Sequence, residues 1–240
     1  MNTVDDTALA LAKSEVKNIV LVHGSFADGS GWQPVATILK ARGFQVAVVQ
    51  HPETSLEDDV AATQRIIGLQ DGPVILVGHS YGGTVITEAG NDRKVVGLVY
   101  VAAFQPDAGE RTGELTMTIP PATQAIMPTA DGFLYLDPAQ FHADFCADID
   151  KTQAEFMALS QVMTAGAAFG TAISRPAWRE KPSWAVVATE DRAINPELER
   201  FMTKRAGSTT VEVKSSHAVY ISHADEVAKL IEQAANGANS

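Results

Sequence analysis

The stretch PVILVGHSYGG, Pro73–Gly83, decides the fold. An aliphatic run enters a turn in which Ser80 is flanked by Gly78 and Gly82, and an apolar segment resumes at Gly83. Pro73–Ser80 predicts a strand buried on both faces, and Gly83–Gly90 predicts a helix. A serine on so sharp a strand-to-helix turn takes a strained backbone. Its hydroxyl is then presented at the carboxyl end of the sheet, with a helix N-terminus behind it. The pattern Gly-x-Ser-x-Gly is weak alone, because glycine and serine are common. Its place between a buried strand and a helix strengthens it.

Three further runs in the first half read as strands: NIVLVHG (Asn18–Gly24), FQVAVVQ (Phe44–Gln50) and VVGLVYVAAF (Val95–Phe104). Helical segments are expected at Trp32–Arg42 and Ser55–Leu69, the latter opening on a capping box of Ser55 and Asp58. Strand alternating with helix predicts a mostly parallel sheet with helices on both faces. The pattern breaks from Gln105 to Pro182, where prolines and scattered aromatics show no clean buried strand; this reads as a mainly helical cap. Two strand–helix units follow, SWAVVATED (Ser183–Asp191) before a helix near Pro196–Ala206, and TTVEVKSSH (Thr209–His217) before one at Asp225–Ala235. The expected organisation is a tail at 1–17, a core at 18–104 and 183–240, and a cap insertion at 105–182.

The 240 residues suit one large α/β domain, and 45% hydrophobic content supports a sizeable core. A net charge of −11 without a basic cluster argues against nucleic acid as a partner. The single cysteine, Cys146, precludes an internal disulfide and reads as a packed thiol. Asp5 and Asp6 stand where a signal peptide needs positive charge. The longest apolar run, Val95–Phe104, is too short to cross a bilayer. The chain reads as soluble and cytoplasmic, with a removed leader left open, and as a monomer or a homodimer. No metal-ligand cluster or cofactor motif is evident.

A serine hydroxyl needs a neighbouring base. Of six histidines, His79 adjoins Ser80 and should point away from its oxygen, and His23 should shape the loop after the first strand. His51 and His142 have no supporting pattern. His217 directly follows the last strand and is the expected base. His223 is the alternative, disfavoured at a helix start. The base needs a carboxylate to fix its tautomer. Asp191 ends the penultimate strand on the same sheet edge, with Asp107 as the alternative and Glu190 aimed away. Acyl transfer also needs oxyanion donors. Tyr81 N–H supplies one, and the loop HGSFADGSGW supplies the other, Ser25 first and Phe26 second.

With these segments in order, the chain resembles the α/β-hydrolase fold over about residues 18–235. LVHGSFADGSGW, LVGHSYGG, LVYVAAFQPD, ATEDRAINPE and SSHAVYISHADEVAKLI carry the resemblance. AAFQPD and TEDRAINPE make it most similar to the small-esterase branch of plant methylesterases and hydroxynitrile lyases. The resemblance implies a Ser80–Asp191–His217 triad acting on a small ester without cofactor or metal. It favours Asp191 over Asp107. The lyases carry threonine at the position of Gly24 and lysine at that of Ala218, so this chain departs toward ester hydrolysis. A slow ligand-sensing relative on the same fold, or a lyase or carbon–carbon hydrolase, is the competing expectation.

Overall fold

The β-branched runs become strands that alternate with helices, in a computed structural model that describes residues 15–238. Most of the expected N-terminal tail, residues 1–14, lies outside the described residues. β1 (Asn18–Val22) leads through α1 (Gln33–Ala41) to β2 (Gln45–Val49), α2 (Leu56–Gly68), β3 (Val74–Ser80), α3 (Gly82–Ala89) and β4 (Val95–Ala103). Next come α4 (Thr112–Thr118), β5 (Ile126–Pro128), β6 (Phe133–Leu136), α5 (Pro138–Phe145), α6 (Lys151–Ser160), β7 (Thr164–Ala165) and α7 (Gly166–Gly170). The chain closes with β8 (Ser183–Ala188), α8 (Pro196–Ala206), β9 (Thr209–Val213), α9 (Val219–Ser222) and α10 (Ala224–Gly237).

Six strands form one sheet in the order β2-β1-β3-β4-β8-β9, every neighbour parallel. Successive side chains point to opposite faces. Ile19, Leu21, Ile75 and Val77 therefore join one core, covered by Val35 and Leu39 of α1 and by Val227 and Ile231 of α10. Val20, Val22, Val74 and Leu76 join the other, covered by Leu56 and Ile67 of α2 and by Val85 and Ile86 of α3. Burial on both faces is why these strands read as unbroken apolar runs.

The capping box expected at Ser55 forms in part. Ser55 Oγ accepts from the Asp58 N–H at 3.1 Å. The Asp58 carboxylate takes the Ser55 and Thr54 hydroxyls, each at 2.9 Å. The stretch between β4 and β8 holds more than helices: β5, β6 and β7 make a small antiparallel sheet. Runs of two to four residues are too short for period-2 alternation to show in sequence. Phe141 and Phe145 of α5 pack in the same core as Trp32 and Tyr220, so this segment shares its interior with the main sheet.

Candidate active site

Ser80 ends β3 with φ +54°, a left-handed conformation costly for any residue with a Cβ. The register between β3 and β4 shifts at the same point, between His79 and Ser80. The turn depends on its glycines. A Cβ on Gly82 would lie 2.5 Å from the His23 carbonyl oxygen, and one on Gly24 would lie 2.5 Å from Ser80 Cβ. The threonine of hydroxynitrile lyases at that second position would not fit here without displacing Ser80.

His217 and Asp191 meet behind Ser80. His217 Nδ1 is 2.5 Å from Asp191 Oδ2, and both residues are buried. Asp191 Oδ1 accepts from the N–H groups of Ala193 at 2.7 Å and Ile194 at 2.9 Å. The carboxylate is thus fixed at both oxygens, which assigns the imidazole proton to Nδ1 and leaves Nε2 with its lone pair, able to accept a proton. Ser80, His217 and Ser25 line one small chamber of about 40 Å³. Ser80 and His217 share it without a mutual hydrogen bond; such contacts commonly tighten only with substrate bound.

The competing candidates lie elsewhere. Asp107 pairs with Arg179 at 2.7 Å, and Glu190 lies 3.6 Å from Lys214. His223 Nδ1 contacts the Ser222 hydroxyl, and His142 Nε2 donates to the Ile149 carbonyl. His79 is fully buried and its Nε2 donates to the His217 carbonyl at 3.0 Å, bracing the residue expected as base. Burial, and then the His217 ring, pull His79 well below its ordinary pKa, so it braces as a neutral ring.

Of the donor candidates, Phe26 gives its N–H to the Val162 carbonyl at 3.2 Å. None of the described hydrogen bonds uses the N–H of Ser25 or Tyr81. Phe26 is instead a wall, with φ +64°, and lines the chamber and two further cavities. One of these, about 350 Å³, shares Phe26, Thr116, Ile126 and Phe169 with the chamber and adds Met117 and Leu134. The other, about 290 Å³, is lined by Phe156 and Met157 of α6 and by Tyr220. The cap aromatics therefore divide among core, substrate-sized cavity and outer cleft.

Two groups around the site escaped the sequence reading. Glu199 of α8 is fully buried, and Burial, then the Asp191 carboxylate, push its carboxyl well above the ordinary range. Its signal was legible: Leu198 and Met202 mark the inner face of α8, and Glu199 lies on it. A raised carboxyl pKa in the folded state contributes stability at low pH that is lost as pH rises through it. Melting temperature should therefore carry a Glu199 contribution that falls as pH rises above about 4.5, the ordinary value for this group. Glu199→Gln should flatten that fall in a calorimetric series from pH 4.5 to 8; parallel curves would exclude Glu199 as its source.

The second group is a buried cluster of His23, His51 and Glu53, whose ligand-type atoms lie within 4.8 Å of one another. The sequence reading saw no metal-ligand cluster, because the β2–α2 loop is needed to bring these residues to β1. The geometry suits a metal poorly. The two rings stack at 3.8 Å and 7°, so their lone pairs do not converge. His51 Nε2 donates to the His23 carbonyl at 2.9 Å and must carry a proton.

Comparison with known proteins agrees with the architecture. A sequence profile of the alpha/beta hydrolase family matches residues 19–230. An α/β hydrolase of Aspergillus novofumigatus is 27% identical, covering 92% of this chain and 97% of its own. A pyrethroid hydrolase of Sphingobium wenxiniae is 25% identical over 90% of this chain and 86% of that protein. Among solved structures, a pyrethroid hydrolase from Sphingobium faniae superposes with a TM-score of 0.78 at 23% identity, covering 92% of this chain and 97% of that one. A methylesterase from Arabidopsis gives 0.77 at 17% identity, covering 92% and 100%. No helix among the described residues is long and apolar enough to cross a membrane. With its six-stranded parallel sheet, its serine turn and a matching profile over most of its length, the chain belongs to the alpha/beta hydrolase family.

Proposed function

We propose that this protein is a serine carboxylesterase that cleaves small, largely apolar esters through an acyl-enzyme. The observation that carries the reading is the strained Ser80 sharing a chamber with a His217 whose far nitrogen is held 2.5 Å from Asp191. The hydrolase and esterase names of the relatives support ester hydrolysis in general.

His217 Nε2 takes the Ser80 proton as Oγ attacks the ester carbonyl. The N–H groups of Ser25 and Tyr81 stabilise the oxyanion. The imidazolium, held by Asp191, then protonates the departing alcohol, and water repeats the sequence to release the acid. A chamber of about 40 Å³ beside an apolar cavity of about 350 Å³ suits an ester with one small and one bulkier apolar side.

The test is a p-nitrophenyl acetate and butyrate assay combined with labelling by an alkyl fluorophosphonate. Turnover is expected, with one equivalent of label on the peptide bearing Ser80 and loss of activity in step. Absence of turnover across a broad ester panel, with no label on Ser80, would overturn the esterase reading and leave a ligand-sensing role.

A further inference from the structure

The buried cluster beside the nucleophile has no part in the proton transfers above. We propose that His51, Asp59 and the Tyr81 hydroxyl form a positioning device that holds both oxyanion donors, Ser25 and Tyr81, in register; it rests on the esterase reading.

The wiring converges on one carboxylate. Asp59 Oδ2 accepts from the Tyr81 hydroxyl at 2.8 Å, and Tyr81 is the residue whose backbone N–H faces the oxyanion in the esterase reading. Asp59 Oδ1 accepts from the Glu53 N–H at 2.8 Å and lies 3.2 Å from His51 Nδ1. The opposite nitrogen of His51 donates to the His23 carbonyl, two residues before Ser25. Because a carbonyl only accepts, His51 has its Nε2 proton committed, and its Nδ1 faces a carboxylate. One side chain of α2 is thus linked to the backbone of one donor arm and the ring of the other.

The cluster is expensive to build. Asp59, Glu53, His23 and His51 are all nearly or fully buried. Glu53 also takes φ +56°, a strained conformation for a residue with a Cβ. It is locked by its carbonyl, which accepts from the Ala165 N–H at 2.8 Å, and by its carboxylate, which takes the Thr164 hydroxyl. Its other oxygen lies 3.3 Å from His23 Nδ1. Burial lowers His51, but the Asp59 and Glu53 carboxylates outweigh it and raise the ring above its ordinary pKa. Apolar residues of similar volume would fill this space without desolvating four ionisable groups. Strain and buried charge gathered against both donor segments point to a task at the site. Preorganised donors act on the transition state and little on the bound ester, so the device should show in kcat rather than KM.

The experiment uses the whole protein, an aryl trifluoromethyl ketone that forms a tetrahedral oxyanion with Ser80, and two variants. Tyr81→Phe removes one oxygen and keeps the ring that stacks on Phe169 at 5.3 Å. Asp59→Asn keeps the shape and removes the charge. In each, kcat for p-nitrophenyl acetate and ketone affinity should both fall about tenfold or more, with KM within about twofold. The double variant should cost no more than the worse single, as for groups acting through one network. If Asp59→Asn does not fold, Tyr81→Phe alone carries the test. Lower melting temperature with kcat and ketone affinity within about twofold of the parent would reduce the cluster to a structural role and overturn the proposal. A parent protein that neither turns over esters nor binds the ketone would instead overturn the esterase reading, and this inference with it.

Discussion

His217→Ala should lower kcat for p-nitrophenyl butyrate by about 10⁴–10⁶, and Ser80→Ala should do the same. The double variant should be no worse than either single, because nucleophile and base act as one unit. His223→Ala should stay within about tenfold of the parent. Its ring contacts Ser222 and faces Asp148 at 3.9 Å, outside the chamber that holds Ser80. Stopped-flow measurement of p-nitrophenolate release separates these cases. A large loss in His223→Ala with a small one in His217→Ala would reverse the assignment of the base.

Asp191→Asn should reduce kcat by about 10⁴ while leaving KM little changed. The reason is the tautomer. Asp191 Oδ1 is already committed to the Ala193 and Ile194 N–H groups, so Oδ2 is the atom that faces His217 Nδ1. An amide in that place puts an NH₂ group toward Nδ1, which moves the ring proton to Nε2 and removes the lone pair that Ser80 needs. Asp107→Asn should leave kcat within about twofold, because that carboxylate is engaged by Arg179 near the surface. The decisive measurement is kcat against pH. The remaining activity of Asp191→Asn should rise with hydroxide concentration, whereas an unchanged profile would remove Asp191 from the triad.

The sequence made the sheet legible because burial on both faces leaves unbroken runs of aliphatic and aromatic residues, as in Val74–Val77 and Leu98–Val101. That Ser80, Asp191 and His217 share one edge was legible for a related reason: each stands at or just after the carboxyl end of a strand, and a parallel sheet collects those ends together. Cap strands of two to four residues carry no period, so β5, β6 and β7 stayed hidden. The Asp59 cluster was hidden for a different reason. His23, His51 and Asp59 meet only through the path of the β2–α2 loop, and Asp59 sits in an acidic first turn with Glu57 and Asp58 that reads as ordinary capping. The role of Phe26 as a wall depends on a single positive φ, which a phenylalanine does not announce.

The segment between β4 and β8 is sewn to the candidate site by backbone hydrogen bonds. Ala218, next to His217, donates to the Phe145 carbonyl; Phe26 donates to Val162; and Ala165 donates to Glu53. In the esterase reading, a hinged lid would have to break the backbone bonds beside His217, at Phe26 and at Glu53 at every turnover. Phe26 and Phe169 line both the chamber and the larger cavity beside it, so rotation of their side chains, on the timescale of rotamer hops rather than of domain motion, can change the passage between the two. Amides of the stitching residues should accordingly exchange with solvent only as slowly as the sheet itself, and in the esterase reading the four side chains shared by chamber and cavity, Phe26, Thr116, Ile126 and Phe169, become a filter on substrate shape.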